Sequence, residues 1–180
     1  MLFPKPYADA VAKLRVPSGF LLVAAFGWLA TPDLHSLAIG VPVSIVGLLL
    51  RAWAAGHLAK NAELATGGPY AYVRNPLYVG TLLVAAGVVV ATRRVELAIL
   101  FGIVFVFVYL PVIQNEEQHL RKLFPSYADY ANHVPALIPY KTPQRTSAQR
   151  FRPDLYMRNQ EYQALLGYLA GLGYLIWKTI

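Results

Sequence analysis

The run SLAIGVPVSIVGLLLRAWAAGHL, residues 36–58, carries one full charge, Arg51, and constrains this chain more than any other feature. At about 1.5 Å per residue, a helix of that length crosses a hydrocarbon core about 30 Å thick. Hydrocarbon offers no water to backbone N–H and C=O groups, so a segment that enters it must be helical. Four more apolar segments share this character, at residues 17–32, 76–91, 95–113 and 162–177. Several are short for a full crossing, which tilt or partial re-entry accommodates. The expectation is an all-α, polytopic integral membrane protein with about five transmembrane helices. Spans three and four form a helical hairpin joined by TRRV, and residues 1–180 make a single membrane domain.

Composition agrees. Hydrophobic residues make up 57% of the chain and charged residues 14%, too little charge to cover a soluble surface. The absence of cysteine excludes disulfides, thiolate nucleophiles and cysteine-ligated metals. His35, His57, His119 and His133 have no metal-ligand spacing, so no metal is expected. A net charge of +7 would suit nucleic acid, but in a membrane chain lysine and arginine lining cytoplasmic loops explain it. Membrane lipids, not nucleic acid, are therefore the expected partners. The N-terminus lacks the ordered parts of a cleaved signal, so the first apolar segment is expected to stay.

Basic residues cluster at 5–15, at Lys60 and Arg74, and from Arg121 to Arg158, whereas Arg93, Arg94 and Lys178 fall on the other side of the spans. The positive-inside bias then gives an N-in, C-out arrangement in the inner, cytoplasmic membrane, with Arg93 and Arg94 snorkelling to the far headgroups. Two cytoplasmic segments, 59–75 and 114–160, face each other. Leu120, Leu123, Phe124, Tyr127, Tyr130 and Val134 recur at helical spacing and predict a helix along the interface, interrupted at Pro125. The polar, basic stretch 141–153 reads as a linker over the headgroups.

Chemistry concentrates at three places. In GGPYAYVRNPLYVG, residues 67–80, Asn75 suits an N-cap and Pro76 the first helical position, so span three starts there. Its unpaired N–H groups and Arg74 together form an anion site, or else Arg74 pairs with lipid phosphate. Glu116 and Glu117 follow a span kinked by Pro111, where carboxylates oppose the helix dipole and call for a cation: a ligand, or Arg121 four residues on. Arg51 lies inside the second span, where a charge is by default functional, although snorkelling toward the Lys60 end is open to it. His57 suits an interfacial hydrogen bond better than catalysis. Gly167 and Gly171 form a small-xxx-small pattern that helix packing explains.

GGPYAYVRNPLYVG together with EEQHLRKLFPSYADYANHVPALIP, some 35 residues later, resembles the isoprenylcysteine carboxyl methyltransferase and phospholipid methyltransferase superfamily. The resemblance covers residues 45–139, with Asn75 where many members have histidine and Pro125 where glycine is usual. It implies an integral membrane methyltransferase using S-adenosylmethionine, with a cofactor-binding core at about 59–139. Gly68, Tyr70, Arg74, Asn75, Tyr78, Glu116 and Glu117 carry over as the cofactor pocket, and Tyr127, Tyr130 and Pro135 as its lid or support. The apolar helix at 162–177 is extra relative to short members. The implied acceptor is lipophilic and reached from the bilayer, either a prenylated cysteine carboxylate, a phospholipid amine or a small lipophilic thiol or amine. For an amine, Glu117 or Glu116 is the candidate base, and Arg51 could meet an anionic acceptor. Two other readings stand beside this one. A membrane reductase of steroid or sterol type shares an Arg-His-Pro-x-Tyr-x-Gly pattern but follows its glycine with an acid, where this chain has Thr81. A non-enzymatic membrane scaffold would use the same motifs as helix caps.

Overall fold

The computed structural model describes residues 2–141 and 150–180, and every regular element among them is helical. In chain order these are α1 (Lys5–Ala12), α2 (Arg15–Leu29), α3 (Leu34–Ala55), a 3-10 turn (Gly68–Ala71) and α4 (Pro76–Thr92). Then come α5 (Val95–Val104), a π-helical segment (Phe105–Tyr109), α6 (Leu110–Leu123), α7 (Tyr127–His133), α8 (Pro153–Arg158) and α9 (Tyr162–Trp177). Each of the five apolar segments of the sequence coincides with helix. Two helices are long and apolar enough to cross a membrane, α3 and the continuous stretch Val95–Leu123. The pair α1 and α2, bent by 58° at its break, makes a third if it counts as one span. The chain divides into two compact units, one of Met1–Pro42, Ala85–His119 and Ala170–Ile180, the other of Val43–Val84 and Leu120–Leu169.

The first unit shows how helix ends are satisfied where water is scarce. α3 begins at Leu34, two residues before the apolar run, because Asp33 and Ser36 cap it reciprocally. The Ser36 N–H donates to the Asp33 carboxylate at 2.7 Å and the Asp33 N–H to the Ser36 hydroxyl at 3.0 Å. The backbone N–H of Ser36, with Arg93 adding its charge, holds the Asp33 carboxyl below its ordinary value near 3.8. That stabilisation is present above the ordinary value and is lost as pH falls through the lowered one.

In the α4–α5 turn both arginines have partners within the chain. Arg93, at φ 57°, pairs with Asp33, and Arg94 Nε donates to the Leu29 carbonyl at 3.0 Å. Lys178 donates to the Gly27 and Trp28 carbonyls at 2.8 and 3.1 Å, and the Tyr174 hydroxyl to Gly27 at 3.0 Å. The last carbonyls of α2 have no intrahelical partner, and the Arg94, Lys178 and Tyr174 side chains supply donors to them.

Pro111 leaves the helical stretch Val95–Leu123 continuous. Lacking an N–H, it leaves the carbonyl four residues earlier, that of Phe107, without its usual donor. The π-helical segment falls at that point, and the Tyr7 hydroxyl donates to the Phe107 carbonyl at 2.8 Å. Gln114, one turn on, holds the start of the chain, accepting from the Leu2 and Phe3 N–H groups and donating to the Phe3 carbonyl at 2.8 Å.

In the second unit α3 and α4 meet backbone to backbone. A Cβ on Gly47 would lie 2.6 Å from both the Gly80 carbonyl and the Val84 nitrogen, and one on Gly80 2.5 Å from Arg51 Cγ. The Ser44 hydroxyl donates across the seam to the Val84 carbonyl at 3.1 Å. This close approach is where small residues pack, whereas a Cβ on Gly167 or Gly171 would meet nothing within 4 Å. The small-xxx-small pattern of α9 is therefore not a packing face within the chain. Tyr127, Tyr130 and Val134 form a buried cluster with Leu64, Leu120 and Phe124, while Leu123 of the predicted stripe turns outward. The helix breaks at Pro125 as the sequence predicts.

Most of the expected linker, residues 142–149, lies outside the described residues. Residues 150–153 are exposed but anchored: the Arg152 N–H donates to the Gly56 carbonyl at 2.8 Å, and the Phe151 ring lies against Gly56 and His57. Asn159 completes the cap of α3, its amide donating to the Ala55 and Leu58 carbonyls at 3.0 and 2.9 Å. The α3–α4 seam gives a paired expectation for detergent-solubilised protein. Gly47→Ala forces the two backbones apart and costs about 1–3 kcal/mol of stability. Gly171→Ala, with open space around it, costs nothing. Equal melting temperatures for the two variants would contradict the seam.

Candidate functional site

The glycine-proline stretch builds a turn that only glycine fits. Gly68 has φ +55°, and a Cβ there would sit 2.6 Å from His57 Nε2. His57 is buried, and its Nδ1 lies 2.9 Å from the Trp53 carbonyl, an acceptor that assigns the proton to Nδ1. The reading of His57 as a hydrogen-bonding residue thus agrees with its position. Pro69 and Tyr70 continue the 3-10 turn, with the Tyr70 ring buried against Ala54, Ala65, Leu58 and Leu77. α4 then starts at Pro76, and the Asn75 carbonyl accepts from the Tyr78 and Val79 N–H groups at 3.1 Å each. Tyr78 is buried in the first turn.

Arg74 ties this stretch to the tyrosine segment sixty residues later. Its Nη1 donates to the carbonyls of Ala131 at 2.7 Å and Val134 at 2.8 Å, at the C-terminal end of α7. Pro135 disfavours helix at Val134, so α7 stops and presents orphan carbonyls there. The guanidinium supplies both donors and a cation against the negative end of the helix. Backbone bonds extend the join: the Arg74 N–H donates to Pro135 O at 2.8 Å and the Asn75 N–H to Ala136 O at 3.1 Å. The Asn75 amide also donates to Ala136 O at 3.3 Å, and the Tyr130 hydroxyl to Tyr70 O at 2.7 Å. Arg121 lies over the Tyr127 ring, 5.4 Å from its centroid. The sequence assigned Arg74 to an anion; the structure gives its Nη1 to a helix end.

Arg51 is held equally firmly. Its Nε and Nη2 meet the two oxygens of Glu161 at 2.5 and 3.0 Å, a bidentate pair. Its Nη1 donates to the Thr81 hydroxyl at 2.5 Å and approaches the Leu77 carbonyl at 3.4 Å. The Thr81 hydroxyl in turn donates to the Leu77 carbonyl at 2.9 Å. Glu161 is 9% exposed and stands just ahead of α9. Reading the sequence missed it, although a signal was there: it is an acid at the lip of an apolar run, opposite in sign to the one cation within an apolar span.

Glu116 and Glu117 lie on α6, in the first unit. Arg15 Nη1 approaches a Glu116 carboxylate oxygen at 3.4 Å, with both side chains about half exposed, so solvent screens the pair. Arg121 and Lys122 in the last turn of α6 complement its dipole. Among the described residues, no group of three or more His, Cys, Asp or Glu could hold a metal ion.

These features define an all-helical integral membrane protein whose glycine-proline and tyrosine segments are one hydrogen-bonded construction. The sequence model of the phospholipid methyltransferase family matches residues 36–127, 92 of 180 residues, and the chain belongs to that family. It is 34% identical over 114 residues to the nickel-cobalt-cadmium resistance protein NccN of Alcaligenes xylosoxydans xylosoxydans, covering 62% of this chain and 52% of that protein. It is 36% identical over 103 residues to the cobalt-zinc-cadmium resistance protein CzcN of Cupriavidus metallidurans, covering 56% and 46%. It is 31% identical over 141 residues to protein-S-isoprenylcysteine O-methyltransferase of Schizosaccharomyces pombe, covering 75% and 59%. The chain thus spans about half the length of the first two of these relatives. No solved structure matches it.

The Arg74 join makes a direct prediction. Arg74→Ala strips the Ala131 and Val134 carbonyls of a charged donor and costs about 1–3 kcal/mol. Hydrogen exchange should rise at residues 127–136. An anion-binding role alone would leave exchange there unchanged.

Proposed function

We propose that the chain is an S-adenosylmethionine-dependent methyltransferase acting at a membrane on a lipophilic acceptor. The observation that carries this reading is the joining of the two motif segments. The residues that liken the chain to membrane methyltransferases are those the Arg74, Asn75 and Tyr130 hydrogen bonds hold together. Family membership supports the reaction class.

The ammonium and ribose hydroxyls of the cofactor call for carboxylates, for which Glu116 and Glu117 are the proposed residues. Gly68 is proposed beside the cofactor, in a turn whose left-handed backbone it allows. Tyr70, Arg74 and Asn75 act as positioning residues that fix the turn and the start of α4, beside Tyr78. S-adenosylmethionine, when bound, supplies an activated methyl on a sulfonium, so the protein has only to align acceptor, methyl and sulfur and to exclude water. The acceptor's lone pair takes the methyl, the carbon–sulfur bond breaks, and its electrons stay on the sulfur. A carboxylate or thiolate acceptor needs no base. An amine must first yield a proton, and Glu117 or Glu116 is the proposed recipient.

The positive-inside bias of the basic residues around Arg74 and from Arg121 onward supports a cytoplasmic position for this chemistry. The five helical apolar segments are read as five passages of the inner membrane, the shorter ones tilted or re-entrant.

Calorimetry on the detergent-solubilised protein tests the reading. The wild type is expected to bind S-adenosylmethionine, and Glu116→Gln and Glu117→Gln to weaken binding on the order of tenfold to a hundredfold. Tritium from the labelled methyl should pass to extracted membrane lipids or added amphiphiles. A wild type that binds no S-adenosylmethionine would sink the proposal.

A further inference from the structure

Arg51 is part of the motif's own architecture. Gly80, the last glycine of GGPYAYVRNPLYVG, is the residue against which Arg51 Cγ lies, and a Cβ there would be 2.5 Å from it. Leu77 and Thr81, on either side of that glycine along α4, both face the guanidinium through oxygen atoms. A cation thus lies along the first two turns of the motif helix, within an apolar span of α3. A charge in such a place requires a partner, and Glu161 provides one through both carboxylate oxygens. An anion that would meet Arg51 must first displace that carboxylate.

We propose that Glu161 is a specificity-determining residue: by neutralising Arg51 it closes this face of the motif to anionic acceptors and leaves it to acceptors with no net negative charge. This rests on the methyltransferase reading and selects among the acceptors that reading allows. Amines and uncharged amphiphiles pass, whereas a free carboxylate meets a guanidinium already matched by Glu161. Removing the charge of Glu161 while keeping a hydrogen-bonding amide frees the guanidinium and reverses the preference. The competing role is a staple, in which the pair only holds the start of α9 to α3. A staple has no preference among ligands.

The test uses the full chain in nanodiscs of zwitterionic lipid and two radiolabelled probes of equal chain length, an S-alkyl N-acylcysteine with a free carboxylate and its neutral amide. The wild type should favour the amide. Glu161→Gln should raise affinity for the carboxylate on the order of tenfold relative to the amide. The double variant Arg51→Gln/Glu161→Gln, which carries neither charge, should return to the wild-type ratio, and melting curves check that each variant is folded. A ratio unchanged in Glu161→Gln, or equal losses for both probes, overturns the proposal in favour of the staple. Methylation is read alongside, as a lower KM for the carboxylate probe in Glu161→Gln. If no acceptor is methylated by any variant, the methyltransferase reading fails, and the binding ratio still decides what Glu161 does.

Discussion

The last carbonyls of a helix have no intrahelical donor, and at several helix ends of this chain side chains or backbone from distant segments supply one. Lys178, Tyr174 and Arg94 close the end of α2. Asn159 and the Arg152 N–H close the end of α3. Arg74 closes the end of α7, and Tyr7 serves the carbonyl that Pro111 leaves open. Each donor comes from a segment far away in sequence. The cost of an unsatisfied carbonyl in an apolar medium, several kcal/mol, exceeds the entropy of fixing one long side chain, so these caps also serve as tertiary links.

The motif takes its form from the same requirement. Pro135 ends α7, the end exposes carbonyls, and the residue that answers them precedes the Asn-Pro pair that starts α4. One arginine therefore joins the stop of one helix to the start of another. Gly68 and Gly80 serve this construction differently. Gly68 supplies a left-handed backbone beside His57, and Gly80 clears the space in which Arg51 lies against α4. The spaced tyrosines are likewise structural: Tyr130 reaches the Tyr70 carbonyl, and Tyr127 packs edge-on against Tyr130 at 5.9 Å beneath Arg121.

Much of this was legible in the sequence. Apolar runs located the helices, the start of α4 followed from Asn75-Pro76, and the break at Pro125 came from a backbone region that proline forbids. What could not be read was partnership. Arg93 and Arg94 read as headgroup-facing arginines because nothing local shows that Asp33 and the Leu29 carbonyl lie within their reach. The glycines of α9 fit a packing pattern, yet the glycines packed at the contacts of α3 with α4 are Gly40, Gly47 and Gly80, each judged only by what stands opposite it. For Glu161 the place at the lip of an apolar run is legible, but its pairing with Arg51, 110 residues away, is not. Periodicity and caps are short-range signals, and ion pairs across a helical bundle are not.

The Arg51–Glu161 pair is weak evidence for stability, which is why it points to function. Taking both charges out of water costs several kcal/mol per ion, and apolar residues of similar volume commonly do as well or better in such a position. At residue 51 the neighbours on either side along α3 are leucine and alanine, so an aliphatic side chain would continue the span at no electrostatic cost. Stability alone would favour that residue. A guanidinium there needs Glu161, Thr81 and the clearance at Gly80 to be tolerated at all. Three accommodations for one charge, all but Glu161 within the motif helix, are better understood as setting the electrostatic character of that helix face than as holding the fold together.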